Sequence, residues 1–215
     1  MERLICVLVG YVFGLIQTGY IYGKKNGVDL RKKGSGNAGT TNALRTMGWK
    51  AGAVTLLGDC FKCVAAVVVV HLIYGKTHTD MMPLLSMYAG MGAVLGHNYP
   101  FYLKFKGGKG IAATAGLIIS TTNIWIVLIC LAAFIAIVAA TRYVSLGSMT
   151  VVTIYLISVI VYGQHGGFGV ENVSYLHEMY GVAAFLMILA FWRHRANIKR
   201  LLSGTENKIS VGGKG

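Results

Sequence analysis

The sequence predicts an all-α integral membrane protein of about seven transmembrane helices, with its N-terminus outside and its C-terminus cytoplasmic. Three observations carry this. Of the 215 residues, 55% are hydrophobic and 13% charged, with a mean hydropathy of +0.61; soluble domains carry about 25% charged residues. The apolar residues gather in runs that approach the roughly 20 positions a spanning helix needs. The net charge of +13 clusters between those runs, as in cytoplasmic loops beside anionic lipid. The same interruption leaves no continuous basic face, which argues against nucleic acid as a partner.

Leu4–Tyr22 is the first span. Arg3 could serve a signal peptide, but no small-residue cleavage site follows, so the helix is expected to remain uncleaved. Lys24–Lys50 carries Lys24, Lys25, Arg31, Lys32, Lys33, Arg45 and Lys50 against one acid, Asp29. Ala51–Tyr74 is the second span, Gly75–Asp80 a turn, and Pro83–Gly96 a short third span. The next apolar region, Ile111–Ala140, has 30 residues. Ser120-Thr121-Thr122-Asn123 interrupts it with helix-start residues and divides it into a fourth span, Ile111–Ser120, and a fifth, Ile124–Ala140. Charge parity supports the division, since Arg142 then returns to the side of Lys104–Lys109. A sixth span near Leu146–Tyr162 and a seventh near Tyr180–Trp192 put 17 of the 20 Lys and Arg residues on one face. The fourth span is short enough to be re-entrant. Residues 1–209 read as a single membrane domain and 210–215 as a flexible tail, where Gly212-Gly213-Lys214-Gly215 is a chance repeat.

Three polar patches on the basic face ask for a common explanation. The first is Gly34-Ser35-Gly36-Asn37-Ala38-Gly39-Thr40-Thr41-Asn42-Ala43-Leu44-Arg45. Its glycines match GxGxxG, but no strand precedes them, so a dinucleotide site fails on context. What remains is a pliant backbone, hydroxyls, amides, an arginine that can fork onto phosphate, and a short helix opening near Thr41. The second runs from Gly96 to Gly110 and mixes Lys104, Lys106 and Lys109 with Gly107, Gly108 and Gly110. Backbone amides freed by glycine can converge on an anion, and lysines add charge. It is not a P-loop, because no Ser or Thr follows Lys109. His97 reads as a helix cap. The third is His194–Glu206; if the last helix continues inward, His194, Asn197 and Leu201 share a face, while Lys199 and Arg200 turn to lipid headgroups.

Asp59 and Lys62 are charges inside the second span, expected as an i, i+3 pair facing the bundle that either orients a helix, the preferred reading, or lines a substrate path. Cys60-Phe61-Lys62-Cys63 has redox-motif spacing without a redox context, and all four cysteines fall in apolar runs. The bland reading of each patch alone is a solvated or lipid-facing loop. A lipid loop, however, has little use for the glycines.

Together the patches resemble the bacterial glycerol-3-phosphate acyltransferases that use acyl phosphate as donor (the PlsY family). The resemblance rests on three motifs in the family's order: Ser35-Gly36-Asn37-x-Gly39-x-x-Asn42-x-x-Arg45; Gly96-His97-x-x-Pro100 through Phe105-x-Gly107-Gly108-Lys109-Gly110; and His194-x-x-Asn197-Ile198-x-Arg200-Leu201-x-x-Gly204-x-Glu206. Asp59-x-x-Lys62 also fits, whereas Ala196 and Cys63 depart from common family residues. The resemblance implies an enzyme of the bacterial cytoplasmic (inner) membrane with its site on the inner face. It would move a fatty acyl group from acyl phosphate to the 1-hydroxyl of glycerol 3-phosphate, giving lysophosphatidic acid and phosphate, the first acylation in phospholipid synthesis. It implies Ser35, Arg45, His194 and Asn197 as catalytic. Asn37, Gly39, Asn42, Lys104, Gly107, Gly108, Lys109 and Gly110 would bind substrate, with Glu206, Asp59 and Lys62 structural. No cofactor or metal is implied; an enzyme that makes acyl phosphate is a possible associate.

The residues add constraints on mechanism. No GxSxG elbow exists and the cysteines lie in apolar runs, which argues against a covalent acyl-enzyme. No histidine precedes an aspartate at the four-residue gap that CoA- or carrier-protein-dependent relatives require. The base is either a substrate phosphate or His194. The alternative reading is a transporter or binding protein for an organic phosphate, which would show an internal inverted repeat. None is visible.

Overall fold

The computed structural model describes residues 1–209; the expectations for 210–215 lie outside the described residues. In chain order the helices are α1 (Glu2–Gly14), α2 (Thr18–Lys25), α3 (Thr40–Met47), α4 (Trp49–Tyr74), α5 (Met82–Asn98), α6 (Ile111–Thr121), α7 (Ile124–Thr141), α8 (Val144–Gln164), α9 (Val173–Arg193) and α10 (Arg195–Leu202). Among the described residues there is no strand.

Five segments are long and apolar enough to cross a membrane: Glu2–Lys25, Trp49–Tyr74, Ile124–Thr141, Val144–Gln164 and Val173–Arg193. The remaining two expected spans are shorter. α5 has 17 residues and α6 has 11, so α6 is only about 16 Å long at 1.5 Å per residue. Asn123 caps α7 by accepting from the Ile126 amide at 3.0 Å, which is the expected break between α6 and α7. The seventh span starts earlier than expected. Asn172 caps it through the Ser174 amide, and the polar stretch to Glu178 is already helical.

α5 is the central helix and packs on α1, α4, α6 and α9. Leu84, Leu85, Met87, Ala89 and Ala93 are all fully buried. Between α1 and α5 the backbones touch: a Cβ on Gly10 or Gly14 would strike the Ala89 or Ala93 carbonyl, and one on Gly92 or Gly96 would strike the Val7 or Tyr11 carbonyl. Close backbone approach through spaced small residues is how helices pack where lipid removes the hydrophobic drive.

The first span is not continuous. α1 stops at Gly14 and α2 begins at Thr18, so the expected helix Leu4–Tyr22 breaks in mid-course. The break is tolerated because its carbonyls find donors. Lys62 Nζ donates to Ile16 O at 2.6 Å, Tyr102 Oη to Leu15 O at 2.7 Å, and Gln17 Nε2 to Gly14 O at 3.1 Å. Lys62 also meets Asp59 Oδ1 at 2.8 Å, the i, i+3 pair anticipated from the second span. At one end of the bundle Arg3 forks onto Glu178, which also accepts from Tyr88. The polar patches occupy the other end.

Candidate active site

The second patch folds back between α5 and α6, and its glycines are required by proximity. Gly107 N donates to Asn98 O and Gly108 N to His97 O, both at 3.2 Å. A Cβ on Gly107 would strike the His97 carbonyl, and one on Gly108 the His97 ring. Arg193, at the end of α9, donates to the carbonyls of Gly107 at 3.1 Å and Gly108 at 2.7 Å. Its guanidinium lies 5.2 Å over the Tyr99 ring. This corrects the expectation that the Gly107 and Gly108 amides would face an anion, because both already serve the loop. Within the described residues the amides of Lys109, Gly110 and the first turn of α6 have no partner. Gly110 caps α6 in the left-handed region (φ 84°) with no side chain covering the helix end. A helix start with free amides beside a lysine favours an anion. Asn98, fully buried against Gly110, has neither amide atom paired within the described residues.

The third patch closes on this loop. Lys109 Nζ donates to Asn197 Oδ1 at 2.5 Å, and Asn197 Nδ2 donates to Glu206 Oε1 at 2.6 Å. Ser145 Oγ, on the first turn of α8, donates to the same oxygen at 2.9 Å. Arg200 Nε donates to Glu206 Oε2 at 2.7 Å, so Arg200 turns back toward Glu206, where it was expected to point outward: the chain after α10 returns and brings Glu206 to it. Ile209 completes the strap by exchanging hydrogen bonds with Arg142, its amide to Arg142 O at 2.8 Å and Arg142 Nε to its carbonyl at 3.2 Å. Arg142 and Lys109 therefore stand at the same end of the bundle, as charge parity required.

Electrostatics follow from this burial. Burial and the Lys109 charge push the His194 imidazole down to about 4. Its Nδ1 lies 2.8 Å from the Ala190 carbonyl, which can only accept, so Nδ1 carries the proton and Nε2 is the free acceptor. Burial, with Arg200, Arg193 and Arg45 nearby, lowers the Lys109 ammonium to about 8, against the pull of Glu206. Burial would raise Glu206, but hydrogen bonds from Asn197, Ser145 and Arg200 hold it below the usual carboxylate range.

The first patch is organised by Asn42. Its Nδ2 donates to the carbonyls of Leu30, Lys33 and Asn37 at 2.9 to 3.0 Å, and its Oδ1 accepts from the Ser35 amide at 2.9 Å. Asn37 Oδ1 accepts from Gly39 N at 2.9 Å, just ahead of α3. Asn42 and Asn37 thus shape the loop, leaving Ser35 and Arg45 exposed. Arg45 lies close enough to Lys109 to bear on its charge. Lys104 is exposed on left-handed backbone (φ 55°); its amide donates to Phe101 O at 3.0 Å, and its side chain makes no hydrogen bond within the described residues. The structure therefore brings together Lys109, His194, Asn197, Glu206 and the field of Arg45, and leaves Ser35 and Lys104 at the surface. Sequence reasoning missed Arg193 and Ser145. Arg193 adjoins His194 on the last helical turn, and that adjacency was the one available signal.

The profile of the family described as glycerol-3-phosphate acyltransferase matches residues 4–204. Among similar chains, a glycerol-3-phosphate acyltransferase of Clostridioides difficile (strain 630) is 44% identical over 207 residues, covering 96% of this chain and 95% of that one. One from Halalkalibacterium halodurans is 42% identical over 206 residues, covering 94% and 93%. Two solved structures of PlsY, an integral membrane glycerol 3-phosphate acyltransferase, superpose on the fold. The glycerol 3-phosphate form has a TM-score of 0.82 and 31% identity, covering 98% of this chain and 96% of that one. The lysophosphatidic acid form has a TM-score of 0.80 and 30% identity, with the same coverage. With sequence profile, relatives and solved structures in agreement over almost its whole length, the chain belongs to the glycerol-3-phosphate acyltransferase family, a family of integral membrane enzymes.

Proposed function

We propose that this protein acylates the 1-hydroxyl of glycerol 3-phosphate with a fatty acyl group taken from acyl phosphate, giving lysophosphatidic acid and inorganic phosphate. The observation that carries the reading is the convergence of Lys109, the open amides of α6, His194, Asn197 and the field of Arg45 at one bundle end. Both proposed substrates bear phosphate, and this end offers cations and open amides to receive it. In this reading Lys109, Gly110 and the α6 amides bind the glycerol 3-phosphate phosphate. Gly107, Gly108, Gly39, Asn37 and Asn42 shape the loops, and Ser35, Arg45 and Lys104 close on the substrates from the surface. Glu206 fixes Asn197, and through it Lys109.

Acyl phosphate is an activated mixed anhydride. The glycerol hydroxyl attacks the acyl carbonyl directly, the new C–O ester bond forms, and the bond from the carbonyl carbon to the phosphate oxygen breaks. The proton leaves to a substrate phosphate rather than to His194. A histidine held at about 4 is a poor base, whereas a phosphate monoester with its second pKa near ~6 suits the task. His194 Nε2 accepts a hydrogen bond from the attacking hydroxyl and aims it, while Arg45 and Lys109 offset the charge on the carbonyl oxygen and leaving phosphate.

Seven spans with an outside N-terminus put this end on the cytoplasmic side, where water-soluble glycerol 3-phosphate reaches it while the acyl chain of the donor stays in the bilayer. Residues 1–209 act as one domain in that arrangement, and the basic face is where a donor-making enzyme would dock. The test is phosphate release by purified protein in lipid, given palmitoyl phosphate and glycerol 3-phosphate. Release that requires both and yields lysophosphatidic acid supports the assignment. Turnover with acyl-CoA alone would move the donor, and uptake of glycerol 3-phosphate into vesicles without product would make it a transporter.

A further inference from the structure

Within the bundle, Lys62 carries three donors and meets three acceptors: Ile16 O at 2.6 Å, Asp59 Oδ1 at 2.8 Å and His97 Nδ1 at 2.9 Å. The side chains of Asp59, Lys62 and His97 are all at most 3% exposed. An ammonium only donates, so His97 Nδ1 is the unprotonated acceptor and Nε2 carries the ring's proton. That Nε2 edge is what Gly108 packs against, and a Cβ there would strike it. The His97 carbonyl meanwhile accepts from Gly108 N at 3.2 Å and from Gln17 Nε2 at 3.1 Å. His97 therefore holds Gly108 twice, by its carbonyl and by its ring.

We propose that Asp59, Lys62 and His97 are positioning residues for the anion site, beyond the helix-orienting role their burial suggests. The ion pair fixes the tautomer and angle of the His97 ring. The ring sets Gly108, and Gly108 sets where the adjacent Lys109 and the α6 amides stand. The inference rests on the reading that those groups receive the phosphate of glycerol 3-phosphate. A helix-orienting pair alone would not need an imidazole between itself and the loop.

Two substitutions at one position separate the roles. In His97→Asn, the amide oxygen replaces Nδ1 as the acceptor for Lys62, and the edge facing Gly108 is lost. In His97→Gln, the amide reaches the place of Nε2, and Lys62 loses its acceptor. The expected result is a crossing. His97→Asn keeps the wild-type melting temperature within a few degrees but weakens glycerol 3-phosphate binding by calorimetry, and raises its KM, about tenfold, with the KM for palmitoyl phosphate unchanged. His97→Gln melts earlier but keeps glycerol 3-phosphate affinity within about twofold of wild type. Equal effects of both variants on affinity, or the opposite crossing, would overturn the proposal. So would failure of His97→Asn to fold, because the argument has its oxygen standing in for Nδ1. Calorimetry reads affinity apart from turnover: wild-type binding without product would sink the activity assignment, while the crossing would still support the positioning role.

Discussion

Asn197 sits between a lysine and a carboxylate, but burial and the neighbouring arginines outweigh that carboxylate and make Lys109 responsive to pH. Its ammonium is lowered to about 8, so, with Lys109 on the substrate phosphate as proposed, glycerol 3-phosphate affinity should fall as pH rises through that value. The KM for glycerol 3-phosphate should rise roughly tenfold by about pH 9, and Lys109→Arg, whose charge persists, should abolish the rise. Initial rates across a pH series decide it. His194 has the opposite signature, in stability. Its folded value of about 4 lies below the ordinary 6.5, so its contribution is fully present above about pH 6.5 and is lost as pH falls toward 4. The amount is about 3 kcal/mol. His194→Gln should flatten the fall of melting temperature between about pH 6.5 and 4.5, and should lower kcat more than substrate affinity. Much at this scale is legible from residue types, since Lys109, His194, Asn197 and Glu206 stand out as polar groups between apolar runs. What could not be read is the direction of a peptide group. Gly107 and Gly108 look like amide donors to a ligand, but their amides go to the carbonyls of Asn98 and His97, and their own carbonyls to Arg193, 85 or more positions away.

Between the first and central helices, each glycine touches a backbone rather than a side chain, so a neighbour cannot move aside. Gly96→Val should therefore lower the unfolding midpoint by an amount equivalent to about 3 kcal/mol, measured by thermal unfolding in detergent, while Gly181→Ala, with open space around it, should be neutral. The strap after α10 is held through Glu206. Glu206→Gln removes the charge that receives Arg200 and should cost about 2 kcal/mol, with activity falling in parallel because Asn197 and Lys109 lose their anchor. Elements bounded by their own caps were legible: Asn123 marks the start of α7 in sequence and in structure. The start of α9 was not. His177 and Glu178 dilute its apolar pattern, yet Glu178 is neutralised by Arg3, 175 positions earlier. A local window cannot see a partner that far away.

For the molecule as a whole, the placement of basic residues makes a topological prediction. With seven spans and the N-terminus outside, a cysteine introduced as Lys76→Cys, with the native cysteines replaced, should react with a membrane-impermeant thiol reagent in intact cells. Lys199→Cys should react only after lysis. Labelling of both before lysis would refute the arrangement. The helical class and the shared end of the three patches were legible because bilayer thickness and charge placement act on every residue. The break at Gly14–Thr18 was not legible, because no proline, glycine pair or charge marks Leu15–Gln17 as anything but helix. That break also bears on the order in which the fold can close. The carbonyl of Ile16 takes its hydrogen bond from Lys62, 46 positions further along the chain, and a carbonyl left without a donor in lipid is costly. The α1–α2 segment is therefore complete as a membrane-crossing element only once α4 packs beside it with Asp59 and Lys62 paired.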